Sequence, residues 1–192
     1  MDDSGSIARI YNQGIQDRTA TFETRLRDAS EIARWFDGRH PIVVADAAGA
    51  VVGFASTSTY RDRDCYVGIA EFSVYVERSG RGKGAGTLLM RELISESRRA
   101  GFWKLVSRVF VDNAPSRALL RNLGFREVGV YEKHGRLDGV WRDVVIVELL
   151  IPDSQDYGAI VAARLKPPSA RTFTNLEATI SSSPSFRQCG LM

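Results

Sequence analysis

The 192-residue sequence predicts one α/β domain, an α+β mixed sheet covered by helices, and three observations carry that expectation. Short β-branched runs alternate with segments whose apolar residues recur every three or four positions. A glycine-rich stretch, Arg81 to Gly86, lies between one such run and one such segment. From Asp153 onward, Pro167-Pro168, Ser181-Ser182-Ser183 and Pro184 dilute the apolar residues, so the domain is expected over 1–152 and a largely disordered tail over 153–192.

The elements follow in order. Ile7, Ile10 and Tyr11 share one helical face, and Gly14 reads as a stop. Ser30 caps a second helical stretch carrying Ile32, Trp35 and Phe36, ending near Gly38. Pro41 to Ala45 and Val51 to Ser56 form a hairpin around Asp46-Ala47-Ala48-Gly49, and Tyr66 to Val76 is the next strand. Leu88, Leu89, Leu93 and Ile94 mark a helix that starts at about Thr87 and ends at Gly101. Lys104 to Val111 reads as a strand buried on both faces. Asn113 to Gly124 is a helix with Pro115 in its first turn, and Phe125 to Tyr131 and Val140 to Ile151 are strands joined by a loop containing Gly135 and Gly139. In the tail, Tyr157 to Leu165 has the spacing for a helical turn or two.

Composition narrows the function. An excess of 26 basic over 23 acidic residues, +3 in all, is too small to predict nucleic-acid binding. Its densest basic cluster, Arg78, Arg81 and Lys83, suits one polyanionic ligand better than a duplex. Two cysteines, Cys65 and Cys189, make no disulfide framework and fit a reducing cytoplasm. The acidic amino terminus and the lack of a long apolar run predict no targeting segment and no membrane partner. No cysteine and histidine spacing predicts a metal site, and none supports a cysteine nucleophile.

The glycine turn carries the first chemistry. Glycines let the backbone approach a ligand, and the first amides of the following helix lack internal partners and sit at the positive end of its dipole. A pyrophosphate is the natural occupant. Lys83 precedes the last glycine, the wrong order for a nucleoside-triphosphate loop. The element order and the absence of an acidic residue ending a second strand exclude a Rossmann dinucleotide site. A solvated surface turn is the plain alternative for the six residues taken alone.

Arg81-Gly82-Lys83-Gly84-Ala85-Gly86 matches an R/Q-x-x-G-x-G/A signature, and Asn113-Ala114-Pro115-Ser116 with Leu123-Gly124-Phe125 matches a later Asn-to-Gly-Phe signature. Together they resemble the GCN5-related N-acetyltransferases. Ile10-Tyr11-Asn12, Thr19-Ala20-Thr21-Phe22, Glu71-Phe72-Ser73-Val74-Tyr75-Val76 and Trp141-Arg142-Asp143 narrow the resemblance to the phosphinothricin and arsinothricin N-acetyltransferases, over about Ile7 to Pro152. The resemblance implies a V-shaped sheet that admits the pantetheine arm of acetyl-CoA. Backbone from Val74 to Val76 would then bind that arm and the acetyl carbonyl. Arg81, Gly82, Gly84, Ala85, Gly86 and Thr87 would hold the pyrophosphate, flanked by Asn113 and Ser116. Family members usually begin with a strand before the first helix; here the sequence starts almost directly at that helix, so the expectation is that the first strand is missing, with an exposed sheet edge, or that another segment replaces it. Homodimerisation is implied by the resemblance alone.

Acetyl transfer needs a neutral amine, a polarised carbonyl and a proton for the departing sulfur. Glu71 stands in an otherwise apolar strand, where a carboxylate needs a partner, water or a function, and the resemblance implies a general base; an outward-facing strand residue is its alternative. An α-amine with a pKa near ~8 is partly neutral at pH 7, whereas a lysine amine would cost about 4.6 kcal/mol to deprotonate, so one carboxylate suits an amino-acid substrate. The family's usual acid position, seven residues after the asparagine, is Leu120, leaving Tyr131, Tyr75 or water as the proton donor. Arg63, Tyr66 and Phe22 match positions near the family's substrate pocket and are equally read as a charged loop with packing aromatics. His134 and His40 read as solvated or structural. The expected reaction is acetylation of the α-amine of phosphinothricin, arsinothricin or methionine sulfoximine; another small amine or a protein amine, or a catalytically silent acyl-CoA-binding module, are the alternatives.

Overall fold

A computed structural model describes residues 3–151 and the strand Ser185–Gln188. Its elements run α1 Ser4–Asp17, α2 Ala29–Ala33, β1 Ile42–Ala47, β2 Ala50–Thr59, β3 Ile69–Val76, α3 Ala85–Arg99, β4 Lys104–Phe110, α4 Ala114–Asn122, β5 Arg126–Leu137, β6 Val140–Leu150 and β7 Ser185–Gln188. The strands form one mixed sheet in the order β5-β6-β4-β3-β2-β1-β7. Only the central β3–β4 pair is parallel.

Helices cover both faces. Ile7, Ile10, Tyr11 and Ile15 of α1 lie three or four residues apart and pack on Ile42, Val44, Val51 and Phe54. On the other face Leu89, Met90 and Leu93 of α3 are fully buried against Val43, Ala55, Ala70, Phe72 and Leu105. Each such side chain contributes about 1.5–3 kcal/mol of burial, enough to fix which face of β3 looks toward α3. Ala70, Phe72, Val74 and Val76 belong to that core, so alternation turns Glu71, Ser73 and Tyr75 to the opposite face.

The feature that makes room for a ligand is a divergence of strands. β3 pairs with β2 from Ala70 to Val76 but with β4 only from Ile69 to Glu71. Beyond Glu71 and Val106 the two strands part, while β4 stays paired with β6 over its whole length. The V-shaped opening expected from the resemblance lies there.

Several expectations change. Gly14 does not stop α1, which runs on to Asp17; a Cβ at Gly14 would lie 2.6 Å from the Tyr75 ring, so the glycine admits an aromatic side chain to the helix surface. Asp28, not Ser30, caps α2, in a capping box with Glu31, and the helix ends at Ala33. Gly135 lies within β5 rather than in a loop, with the Phe22 ring across it where a Cβ would come to 2.8 Å. The turn is Asp138-Gly139, both at positive φ, a hairpin pair whose twist matches the strands it joins. β4 is not buried on both faces, since Arg108 is exposed. At the β1 edge, β7 pairs antiparallel from Val43–Gln188 to Asp46–Ser185, so four residues of the tail expected to be disordered form a strand, and of the two expectations for this edge it is the replacing segment that is found. The expected helical turn at Tyr157 to Leu165 and Cys189 lie outside the described residues.

Candidate active site

Two cavities meet at the opening. The first, of about 650 Å³, is lined by Val74, Tyr75 and Val76, the turn from Gly80 to Thr87, Asn113, Ser116 and Leu119. The second, of about 500 Å³, lies beside it and is lined by Phe22, Glu71, Ser73, Ser107, Arg108 and His134. Ala20 and Tyr75 line both.

The first cavity is made largely of backbone. Gly82 and Gly84 have φ of 76° and 88°, and a Cβ on either would meet nothing within 4 Å, so glycine is there for its backbone conformation and open approach. Gly84 is the N-cap of α3 and makes no side-chain cap; the Thr87 and Leu88 N–H groups donate to its carbonyl at 3.0 and 3.2 Å, and Ala85 and Gly86, at the start of the 15-residue helix, line the cavity. These features fit a pyrophosphate, and the uncoupled edge of Val74–Val76 fits an extended arm leading away from it.

Arg81 lines this cavity, but its guanidinium is engaged elsewhere: Nε donates to the Val76 carbonyl at 3.0 Å and Nη2 pairs with Asp17 at 2.7 Å. Arg78 pairs with the same carboxylate at 2.7 Å. Burial pushes the Asp17 carboxyl up, and the hydrogen bonds and charges of Arg78 and Arg81 outweigh that, holding it below its ordinary value. Asp17 at the end of α1 thereby fastens the glycine turn. Asn113 caps α4, accepting from the Ser116 N–H at 3.2 Å, and its Nδ2 donates to the Thr19 carbonyl at 3.0 Å. Leu120 is 2% exposed and belongs to the core, so the position of the family's usual acid faces no cavity, whereas Leu119 does.

The second cavity is made of side chains. Glu71 Oε1 accepts from Arg108 Nε at 3.1 Å and from Arg108 Nη2. Phe22 packs edge-on against Phe110 at 4.8 Å and forms an apolar wall. His134 sits on a bulge, because β5 and β6 lose register between Tyr131 and Gly135. Asp143 Oδ1 accepts the Lys133 N–H at 2.6 Å and holds this bulge, while the His134 ring lies 6.1 Å from Phe22 and 5.4 Å from Tyr131. Asp143 of the Trp141-Arg142-Asp143 motif thus acts on the shape of the cavity wall.

The proton-donor candidates separate clearly. Tyr131 is 54% exposed and lines neither cavity. Tyr75 stands at the junction, beside the hydroxyls of Tyr11 and Thr21, and burial raises its phenol far above the ordinary value. It keeps its proton throughout the neutral range and can donate a hydrogen bond without giving the proton up.

Phe22 and Glu71 come together in the second cavity; Arg63 and Tyr66 do not join them. Arg63 is extended and leads into the 3₁₀ turn Asp64–Tyr66 on an exposed loop, where Tyr66 packs on Tyr60 at 5.7 Å. Arg108 and His134 are the residues sequence reasoning missed as site residues. The signal for the first was Ser107-Arg108 interrupting an apolar strand; His134 had none, since a bulge of three residues, Glu132 to His134, leaves no local pattern. Among the described residues no group of three or more His, Cys, Asp or Glu side chains could hold a metal ion, and no helix is long and apolar enough to cross a membrane.

Comparison with known proteins matches residues 7–125 to the model of the acetyltransferase (GNAT) family. The chain is 37% identical over 152 residues to the L-methionine sulfoximine/L-methionine sulfone acetyltransferase of Pseudomonas paraeruginosa, covering 77% of this chain and 88% of that one. It is 31% identical to the L-amino acid N-acyltransferase MnaT of Escherichia coli over 82% of this chain and 94% of the relative. Among solved structures it superposes on a GNAT superfamily phosphinothricin acetyltransferase from Sinorhizobium meliloti in complex with AcCoA, with a TM-score of 0.72, 32% identity and coverage of 77% and 83%. The chain belongs to the acetyltransferase (GNAT) family and is an acetyl-CoA-dependent N-acetyltransferase.

Proposed function

We propose that this GNAT-family N-acetyltransferase acetylates the α-amine of a phosphinothricin-like amino acid, such as phosphinothricin, arsinothricin or methionine sulfoximine, and so detoxifies it. The observation that carries this reading is the pair of adjoining cavities, one of backbone and helix terminus suited to acetyl-CoA, the other holding Glu71 beside a cation and an aromatic wall. Relatives named for methionine sulfoximine and phosphinothricin add support.

In this reading the pyrophosphate rests on the amides from Gly82 to Gly86, with Asn113 and Ser116 beside it, and Val74 to Val76 hold the arm; the Thr87 N–H donates to the Gly84 carbonyl at 3.0 Å, so Thr87 contributes as a lining residue. Glu71 accepts one proton from the acceptor ammonium. The neutral nitrogen then attacks the thioester carbonyl carbon; the N–C bond forms, the C–S bond breaks, and a second nitrogen proton ends on the departing thiolate. Water carries that second proton while Tyr75 donates a hydrogen bond, because a phenol with so high a pKa is a poor acid. Homodimerisation belongs to the same reading and is supported by the β5–β6 hairpin, an edge that exposes Val128, Val130, Tyr131, Val140 and Trp141.

A second reading, an ordinary L-amino acid as acceptor, is favoured by the position of Arg63 and Tyr66 outside the cavity and by the Escherichia coli relative. A panel of phosphinothricin, arsinothricin, methionine sulfoximine, ordinary amino acids, a polyamine and a peptide amine, followed by CoA thiol release, separates them. The highest kcat/KM is expected for the phosphinothricin group. Thiol release no faster with any of those three than without amine, in protein that binds acetyl-CoA, would remove the substrate assignment.

A further inference from the structure

We propose that Arg108 is a specificity-determining residue that selects acceptors bearing a carboxylate beside the amine, by exchanging its ion pair with Glu71 for one with the acceptor's own carboxylate. The inference rests on the reading of the second cavity as the acceptor site.

In the free protein Glu71 is held: two donors of the Arg108 guanidinium reach the same oxygen, Oε1. While the guanidinium occupies that oxygen, an incoming ammonium cannot pair with it. The pair is also easily exchanged. The Glu71 and Arg108 side chains are 27% and 44% exposed, and an ion pair so open to water contributes little to stability.

A zwitterionic amino acid has the charges to replace both halves at once. Its ammonium takes the place of Arg108 at Glu71, and its carboxylate takes the place of Glu71 at Arg108, so four charges alternate and none is left unpaired. Guanidinium donors form a fork suited to a carboxylate. Other groups at the cavity do not compete for this task. Glu23 is bound by Arg27 at 2.7 and 2.8 Å, and Arg108 is the one arginine or lysine among the lining residues described. A simple amine, or an amino acid with its carboxyl blocked as an amide, brings a cation next to Arg108 with nothing to pair the guanidinium. Such an acceptor gains nothing from Arg108 and binds less well than the free acid.

The test compares the best amino-acid acceptor of the panel with its α-carboxamide, in the wild type and in Arg108→Met and Arg108→Lys. The wild type is expected to favour the free acid by roughly tenfold to a hundredfold in kcat/KM, the range for a hydrogen bond to a charged group. In Arg108→Met that ratio falls to within about threefold of unity through loss on the free acid, and Arg108→Lys restores part of it, since a lysine supplies the charge without the fork. Acetyl-CoA affinity, read by calorimetry, stays at the wild-type value and reports that each variant is folded. Equal wild-type rates for acid and amide, or a parallel drop of both in Arg108→Met, would overturn the role of Arg108 while leaving the acetyltransferase reading intact. Absence of acetylation of every amino acid by wild type that binds acetyl-CoA would instead remove the acceptor reading, and this inference with it.

Discussion

The two cavities are built on different principles although they share Tyr75 and Ala20. The cavity proposed for acetyl-CoA takes its shape from one continuous turn, Gly80 to Thr87, and the helix that follows. The cavity proposed for the acceptor collects Phe22 from the segment after α1, Glu71 from β3, Arg108 from β4 and His134 from the β5 bulge. A backbone site is specified by a short run of residues and can be carried unchanged among enzymes with different acceptors. A side-chain site depends on strand register and can be altered one residue at a time.

The largest test of this contrast is Glu71→Gln, which removes the proposed proton acceptor and leaves the backbone site alone. Its kcat/KM for the acceptor is expected to fall by roughly 10² to 10⁴, with acetyl-CoA affinity unchanged in calorimetry. A parallel loss of acetyl-CoA binding would mean the two sides are not separable.

Gly84→Val is the counterpart on the other side. A β-branched residue at φ 88° pays a left-handed penalty, and its side chain would enter the ligand's space. Acetyl-CoA Kd should rise by about tenfold or more, a loss of about 1.4 kcal/mol from the side chain's intrusion on the ligand, the left-handed strain lowering Tm instead, and kcat at saturating donor should change far less.

Asp17→Asn tests how the turn is fastened. The folded pKa of Asp17 is below its unfolded value, so the carboxylate stabilises the fold in full above the unfolded pKa, about 3.9. That contribution disappears as the pH falls through the lower folded value. The difference in Tm between wild type and variant should therefore be constant near neutrality and close in strong acid; a gap that persists there would assign it to packing rather than charge.

Tyr131→Phe is expected to be the mildest, within about twofold in kcat/KM, as for a surface change away from the chemistry. A loss of a hundredfold would return Tyr131 to the role of proton donor.

Much of the fold was legible because its cause is local. The i, i+3, i+4 spacing in α1, α3 and α4, the Asn113 cap with Pro115, and the β-branched runs of β1 to β3 each depend on neighbours a few residues away. What misled was also local information with a distant cause. Gly14 and Gly135 read as a stop and a loop, yet each is small because an aromatic ring from elsewhere, Tyr75 or Phe22, lies against it.

The sequence by itself determined the local structure of the proposed donor side: the glycine turn, the strand before it and the helix after it are contiguous, and an anion-binding helix terminus is expected from them without tertiary information. It also singled out Glu71, because a carboxylate in an apolar strand is costly enough to need a reason. Only the tertiary structure decided what Glu71 meets. The early parting of β3 from β4 opens the space, and strand pairing brings Arg108 from 37 residues away to hold it. Contacts of that kind depend on register between distant segments, which no local pattern encodes.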